Sequence, residues 1–248
     1  MRINTKAIRT APSALRATRS TRAYHSEETP DPHPYSPLQR TLLSSGLTHV
    51  PSTGFTISSL RAGLADNAHP ASALNLFPHG AFSLVLYHLR NQRLLLRDTV
   101  QFPSTSSVPV PVGAKVKSLV LARLEGNVAA GVVGRYTEAL ALMSLAENIP
   151  ASVRELGLLS DEMWYLAGDK SVDGSWYSKR ATLGAVYAAA EVFQTQDQST
   201  EYKDTREFVG RRLEEVRVLG GAVRNVGEWM GFQGTAAVNL ARSMGMRI

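Results

Sequence analysis

The sequence predicts an all-α protein of about nine or ten helices. From Leu38 onward, apolar residues recur at spacings of three and four, and no stretch of any length shows the strict alternation of a strand. The helical stretches are separated by breaks rich in Pro, Gly, Ser and Asn. With 248 residues, 44% of them hydrophobic, the chain is long enough to bury the core of one domain. These observations together predict a helical bundle.

The first four predicted helices follow the start of this periodic region. One carries Leu42 and ends near residues 50–51. Thr56 can cap a second helix, TISSLRAGLAD, because its hydroxyl can accept a free N–H group of the first turn. Pro70 is well placed to open a short third helix, and a longer fourth follows from Gly80. The second and third resemble a helix-turn-helix, two short helices joined by a tight turn.

The later helices follow a Pro/Ser/Val-rich loop at residues 102–113. They read AKVKSLVLARLEGNVA, YTEALALMSLAE, PASVRELGLLSDEMWYLAGD, SWYSKRATLGAVYAAAEVF and YKDTREFVGRRLEEVRVLG. The fourth of these is apolar nearly all round between Ala181 and Phe193, which predicts a position in the centre of the bundle. Small residues gather on one side of it, at Ala181, Gly184, Ala185 and Ala188. They allow either close helix packing or room for a ligand.

The positive charge of the chain is concentrated at its beginning. The chain has 27 Lys and Arg against 21 Asp and Glu, and residues 1–26 hold six of the cations and no acid. This basic, hydroxyl-rich pattern predicts a mitochondrial transit peptide over residues 1–24, cleaved after Tyr24. A disordered basic tail is the alternative. Residues 25–37, which are rich in proline, are predicted to be a disordered linker.

The sequence lacks the residues that several kinds of functional site require. With no cysteine, the chain has no disulfides, thiolate zinc sites or cysteine nucleophiles. The six histidines all precede residue 89 and show no metal-type spacing. No phosphate-binding glycine loop, dinucleotide fingerprint or nucleophile elbow is present. An enzyme with an unrecognised carboxylate site is the alternative that these absences leave open.

The helix-turn-helix lacks the positive charge that a DNA-binding protein needs there. Between residues 66 and 81 there is no Lys or Arg to reach phosphates, and the second helix, PASALNLF, offers only Ser72 and Asn75 as polar side chains. Without its first 26 residues the chain is also formally neutral. A ligand-responsive DNA-binding regulator on the same fold is therefore the disfavoured alternative function.

The stretch AGDKSVDGSWYSKR, residues 167–180, resembles a calcium loop at its start. Counting from Asp169, the glycine falls correctly at position six, but position twelve is Arg180 where a bidentate Glu must stand. Asp173 or Ser175 is instead predicted to cap the following helix. Because Trp176 and Tyr177 then lie in its first turn beside acids, the stretch is a candidate protein-docking site.

The last segment, residues 221–248, is predicted to be an amphipathic helix. Its wide apolar stripe is typical of helices that lie at an interface, and one interpretation is adsorption to a membrane surface. The predicted membrane-contacting residues are Val226, Trp229, Met230, Phe232, Leu240 and Met244. Four internal glycines weaken this helix in solution, so an apolar surface must stabilise it. The alternative surface is its own bundle or a second copy of the chain.

Two blocks, DEMWYLAGDKSVDGSWYSKRA and TQDQSTEYKDTREFV, closely resemble the mitochondrial coenzyme Q biosynthesis proteins of the TetR-like, lipid-binding type. The resemblance extends from about Leu38 to the C-terminal helix, although the loop at 102–113 departs from the charged helical linker of the family. It implies a TetR-like bundle over residues 38–220 with a helix-turn-helix remnant. It also implies a non-enzymatic protein that binds an isoprenoid quinone precursor and presents it to the di-iron demethoxyubiquinone hydroxylase.

The resemblance further implies a site for each partner. The hydroxylase, within the coenzyme Q biosynthetic complex, would contact Asp161, Met163, Asp173, Trp176 and Tyr177. The expected lipid-contacting residues, chosen from helical faces, are Leu140, Met143, Leu159, Leu183 and Tyr187. No cofactor, metal or nucleic acid is expected, and a homodimer is compatible with the family. The expected location is the matrix face of the mitochondrial inner membrane, with peripheral attachment.

Overall fold

The computed structural model describes residues 35–102, 110–169 and 175–218. The α-helices there are α1 (Pro37–Thr48), α2 (Val50–Thr53), α3 (Ile57–Asp66), α4 (Phe82–Thr99), α5 (Val112–Ala129), α6 (Tyr136–Met143), α7 (Ile149–Leu166), α8 (Ser175–Gln194) and α9 (residues 203–218). Short 3₁₀ helices occupy Ala71–Leu76, Val133–Arg135 and Thr200–Tyr202. These ranges contain no strand, so the predicted all-α class is confirmed for them. The predicted transit peptide, most of the linker and residues 221–248 lie outside the described residues.

Side-chain caps begin the first long helices, as their sequences indicate. Ser36 and Gln39 form a capping box, in which the Ser36 N–H donates to Oε1 of Gln39 at 2.8 Å and the Gln39 N–H donates to the Ser36 hydroxyl at 3.3 Å. The Thr56 hydroxyl accepts the Ser59 N–H at 3.4 Å. The prediction that Thr56 caps the second helix is therefore confirmed.

Helices α1 and α3 cross with their backbones almost in contact. A Cβ added to Gly63 would lie 2.6 Å from the Cα of Gly46, and one added to Gly46 would lie 2.9 Å from Cδ2 of Leu84. Real Cβ atoms do not approach backbone atoms this closely. Glycine at position 63 is therefore a requirement of the crossing, whereas a Cβ at position 46 would meet the end of the Leu84 side chain of α4.

The third predicted helix takes a tighter form than expected. Ala71–Leu76 is a 3₁₀ helix, begun by Pro70 and ended by Phe77, whose backbone is not helical (φ −124°, ψ 78°). The helix ends at this residue because Pro78 follows it, and a proline disfavours helical geometry at the residue before it. The position that a DNA-binding protein would use for its recognition helix thus holds a six-residue 3₁₀ turn.

The buried apolar residues form two clusters joined by α4. Leu84 and Val85, near the start of α4, pack in the cluster of α1, α3 and α6, whereas Leu96 packs in the cluster of α5, α7 and α8. Ion pairs attach the middle and end of α4 to α7. Arg90 and Arg93 each lie 3.3 Å from the Glu155 carboxylate, and Nε of Arg97 lies 2.5 Å from that of Glu162. Because both glutamates are buried, these pairs fix the register of α7 on α4.

A second polar group joins α5, α6 and α8 in the interior. The hydroxyls of Tyr136 and Tyr187 both donate to Oε1 of Glu191, and Nη2 of Arg123 lies 3.9 Å from the same oxygen. Burial raises the pKa of both phenols, so both keep the proton that they donate. The Arg123 side chain is 0% exposed, and Glu191 is the counter-charge that lies nearest to it in the described interior.

Helix α8 is not central in the bundle, so the sequence prediction for its position is wrong. Tyr177, Ala181, Ala185 and Val192 form one exposed stripe along it. Gly184 is buried on another face, where an added Cβ would lie 3.1 Å from Oγ of Ser160 on α7. The small residues therefore have different roles. Gly184 allows α7 and α8 to pack closely, whereas Ala181 and Ala185 lie at the surface, where alanine stabilises the helix through its high helix propensity.

Candidate partner-docking surface and ligand cavity

An acid, a cation and an indole are stacked where α7 and α8 meet. Oδ1 of Asp161 accepts from Nε of Arg180 at 2.6 Å, and Cζ of Arg180 lies 4.0 Å from the centroid of the Trp176 ring. The Trp176 ring in turn meets Tyr177 edge-to-face, with 4.7 Å between centroids. Arg180 also donates to the Trp176 carbonyl at 3.3 Å. These contacts hold the half-buried indole in place, while Tyr177 is 69% exposed.

A similar trio of an acid, a cation and an indole joins α7 and the residues after it to α8. Nζ of Lys179 lies 3.2 Å and 3.3 Å from the carboxylate oxygens of Asp169 and 5.6 Å from the centroid of the Trp164 ring. The Trp164 indole N–H donates to the Lys179 carbonyl at 3.2 Å. Both acids are therefore neutralised by cations of α8. Among the residues that the structure describes here, Trp176 and Tyr177 therefore lie beside acids that are paired with cations.

The predicted docking residues are only partly brought together. Asp161, Trp176 and Tyr177 are contiguous, as described above, whereas Asp173 lies outside the described residues. Met163 is fully buried in the cluster of α5, α7 and α8, so it does not belong to the surface. Sequence reasoning missed Arg180, although its position four residues after Trp176 places both on one helical face.

The five predicted lipid-contacting residues are divided between the two apolar clusters, and their contact with a lipid stays a prediction. Leu140 and Met143 pack against the cluster of α1, α3 and α6, whereas Leu159, Leu183 and Tyr187 are buried in the other cluster. The helical faces alone could not reveal this division. The six predicted membrane-contacting residues, 226 to 244, lie outside the described residues. No helix of residues 35–102, 110–169 or 175–218 is long and apolar enough to cross a membrane.

A cavity of about 320 Å³ lies elsewhere, between α5 and the corner that joins α8 to α9. Its wall is formed by Leu121, Leu124, Glu125, Val128, Ala129, Gln194, Glu201, Tyr202, Thr205 and Arg206. None of the five predicted residues is among them. Nothing in the sequence pattern indicated this cavity, because its two walls come from segments about 80 residues apart.

The described ranges thus define an all-α protein with an aromatic surface, an apolar cavity and no group of three metal-ligating side chains. The COQ9 family model matches residues 149–220, which include α7, α8 and α9. The ubiquinone biosynthesis protein coq9, mitochondrial, of Schizosaccharomyces pombe is 33% identical over 225 residues, or 91% of this chain and 88% of the relative. COQ9-B of Xenopus laevis is 30% identical, covering 81% of this chain and 69% of the relative. The human COQ9 protein is 28% identical, covering 81% and 64%.

The chain therefore belongs to the COQ9 family, whose named members here are mitochondrial ubiquinone biosynthesis proteins. The resemblance read from the sequence is confirmed at this level. Both sequence blocks that indicated it lie in the matched range.

Proposed function

We propose that this protein is a non-enzymatic accessory protein of ubiquinone biosynthesis, acting at the matrix face of the mitochondrial inner membrane. It binds the isoprenoid tail of a quinone precursor and docks the demethoxyubiquinone hydroxylase through the surface of Asp161, Trp176 and Tyr177. The observation that carries the docking proposal is the exposed Tyr177 beside a Trp176 held by the Asp161–Arg180 pair.

The docking surface has the properties of an interaction hot spot. Trp and Tyr are enriched among the residues that dominate binding energy, because they bury a large area with few rotatable bonds. Here Arg180 already restrains Trp176, so less side-chain entropy is lost when a partner covers it.

The docking proposal is tested by removing both aromatic rings. Trp176→Ala with Tyr177→Ala should weaken binding of the purified hydroxylase by at least about 30-fold, since a hot-spot residue contributes about 2 kcal/mol or more. Binding would be measured by pull-down and by titration calorimetry with the full mature chain.

A matched control removes two equally apolar side chains elsewhere. Leu38→Ala with Leu76→Ala changes residues of the N-terminal half that are 46% and 39% exposed, and it should leave hydroxylase binding unchanged. Unchanged binding by the aromatic double variant would refute the docking site. Equal weakening by both double variants would refute it as well, because the effect would then not be local.

The lipid and membrane roles rest on the same physical need. Burial of a long isoprenoid tail away from water is favourable by about 0.8 kcal/mol per methylene. A protein that shields the tail from water therefore helps a hydroxylase at the bilayer surface to reach its substrate.

Deletion of residues 221–248 should abolish flotation with phosphatidylcholine liposomes while the helical content of the bundle persists. Flotation of the truncated chain equal to that of the full mature chain would contradict the membrane role.

A further inference from the structure

A polar groove of about 790 Å³ lies between α1, α4 and the end of α3. Its wall consists mainly of hydroxyl, amide and charged side chains, among them Thr41, Ser44 and Thr48 of α1 and Asn91 of α4. The groove is separate from the docking surface on α7 and α8 and from the cavity beside α5. A polar wall of this kind favours an occupant that brings charged or hydrogen-bonding groups of its own.

The first described residues of the chain lie beside this groove. Tyr35 packs edge-to-face on Tyr87, with 6.3 Å between the ring centroids, and its hydroxyl donates to the Ser83 carbonyl at 3.5 Å. Tyr87 and Pro37, the first residue of α1, both line the groove. The residues before Tyr35 are therefore tethered next to the groove, which gives them a high effective concentration there.

The positive charge of the groove lies at the end nearest this tether. Arg40 is exposed on the wall, one turn into α1, and it forms no ion pair with an acid in the described parts of the chain. The acid of the wall, Asp66, is already engaged, because its Oδ2 lies 2.7 Å from Nε2 of His49 and accepts from the Ser45 hydroxyl at 2.7 Å. Ser45 is about 8 Å further along α1 than Arg40. The groove therefore favours an anionic occupant near Arg40.

The sequence immediately before Tyr35 is acidic. Residues 25–34, HSEETPDPHP, contain Glu27, Glu28 and Asp31 but no Lys or Arg. Their three prolines lack N–H groups, so the segment has more hydrogen-bond acceptors than donors. The side chains on the groove wall that can donate to it include Arg40, Ser44 and Asn91.

The segment is also long enough to follow the groove. The distance along α1 from Pro37 to Thr48, which both line the groove, is about 17 Å. Ten residues of extended chain span up to about 33 Å. Exposed ion pairs are individually weak, so a contact of this kind depends on the tether. A segment of the same chain meets that condition, whereas an acidic peptide from solution does not.

We propose that the groove between α1 and α4 binds residues 25–34 of the same chain, with the carboxylates of Glu27, Glu28 and Asp31 around Arg40. The inference goes beyond the proposed function, because it gives a role to the segment between the predicted transit peptide and the helical bundle. It also assigns an occupant to a groove that neither hydroxylase docking nor lipid binding uses.

The test places a spin label in this segment of the full mature chain. Because the chain has no cysteine, Thr29→Cys provides a single attachment site for a nitroxide. The label should broaden the backbone amide NMR signals of Arg40, Ser44 and Asn91 and leave those of α9 sharp. Raising the ionic strength from about 0.1 M to 1 M should remove the broadening, because the Debye length falls from about 10 Å to about 3 Å.

Two sets of substitutions separate the charge contact from simple proximity. In the labelled chain, Glu27→Gln with Glu28→Gln and Asp31→Asn should remove the broadening, and Arg40→Gln should do the same. The matched control neutralises three exposed acids of α9, by Asp204→Asn, Glu207→Gln and Glu215→Gln, and should leave the broadening unchanged.

Three results would overturn the proposal. The first is broadening confined to elements other than α1 and α4, and the second is equal broadening in the acid-neutralised chain and in the α9 control. The third is broadening of an unlabelled ¹⁵N chain by a labelled ¹⁴N chain mixed with it, because a second copy would then supply the occupant. Each of these results leaves the proposed hydroxylase docking and lipid binding standing, since the groove takes no part in either.

Discussion

His88 should make the stability of this protein depend on acid pH. Its ring is 1% exposed, and Nε2 lies 2.8 Å from Oδ1 of Asn127. That oxygen also accepts from Nη1 of Arg123 at 2.7 Å, so it is an acceptor and Nε2 carries the proton of a neutral ring. Burial, followed by the Arg123 cation, lowers the pKa of His88 from 6.5 to about 3, against a smaller opposing effect of the Asn127 hydrogen bond.

The size and sign of the effect follow from this pKa. Below pH 6.5 an unfolded His88 binds a proton, whereas the folded ring does so only near pH 3, so acid favours the unfolded state. The free energy of unfolding is unaffected above pH 6.5 and falls progressively between pH 6.5 and 3. One pKa unit corresponds to about 1.36 kcal/mol, so the loss reaches about 2 kcal/mol at pH 5.

The assay is urea unfolding at pH 7 and pH 5 for the unaltered chain and for His88→Gln. Glutamine can still donate an N–H to Asn127 but does not titrate. The unaltered chain should therefore lose about 2 kcal/mol more than the variant between the two pH values. The two proteins are identical at every other position, so the difference between their losses reports on residue 88 alone. An equal loss in both proteins would refute the assignment of a buried, neutral His88.

Three further substitutions test how the described parts are held together. Gly63→Ala should destabilise the fold by about 3 kcal/mol in thermal unfolding, because its Cβ would meet the backbone of α1; an unchanged melting temperature would contradict the close crossing. Glu191→Gln should cost about 3–5 kcal/mol by leaving Arg123 without its counter-charge, whereas Glu125→Gln at the exposed rim should cost about 1 kcal/mol or less. Asp197→Ala should cost about 2 kcal/mol at pH 7 by removing the acceptor of Ser199 and Thr205, and an unchanged melting temperature at pH 7 would refute this reasoning. Burial raises the Asp197 pKa, but the hydrogen bonds from Ser199 and Thr205 outweigh it and lower the pKa, so this contribution is lost as pH falls through the pKa of the folded state.

The sequence predicted those features that neighbouring residues determine. Thr56 and Ser59 are three residues apart, so the cap of α3 could be read directly. The same holds in principle for Trp176 and Arg180, which are one helical turn apart on α8. By contrast, the Asp161–Arg180 pair and the α5 wall of the cavity join segments that are distant in the chain, and no local pattern predicts such contacts.

The misplacement of α8 has a specific cause in its composition. Alanine counts as apolar in a hydropathy pattern, yet at Ala181 and Ala185 it lies on the surface and contributes helix propensity rather than burial. The pattern therefore resembled that of a central helix, although only one face is buried. Met163 shows the opposite error. It was predicted to lie on the exposed docking surface because it belongs to a characteristic sequence block, but its side chain is buried, so its role is in packing.

Helix α8 connects the proposed docking surface to the cavity beside α5. Trp176 stands near its beginning and Gln194 at its end, about 27 Å apart at 1.5 Å per residue. Between them, Gly184 and the Glu191 network fix α8 to α7, α5 and α6. Two sites this far apart on a rigidly held helix share no side-chain partner, so substitutions at one should act additively with those at the other. A substitution in the docking surface should therefore leave the cavity beside Gln194 unchanged, and a substitution in the cavity should leave the docking surface unchanged.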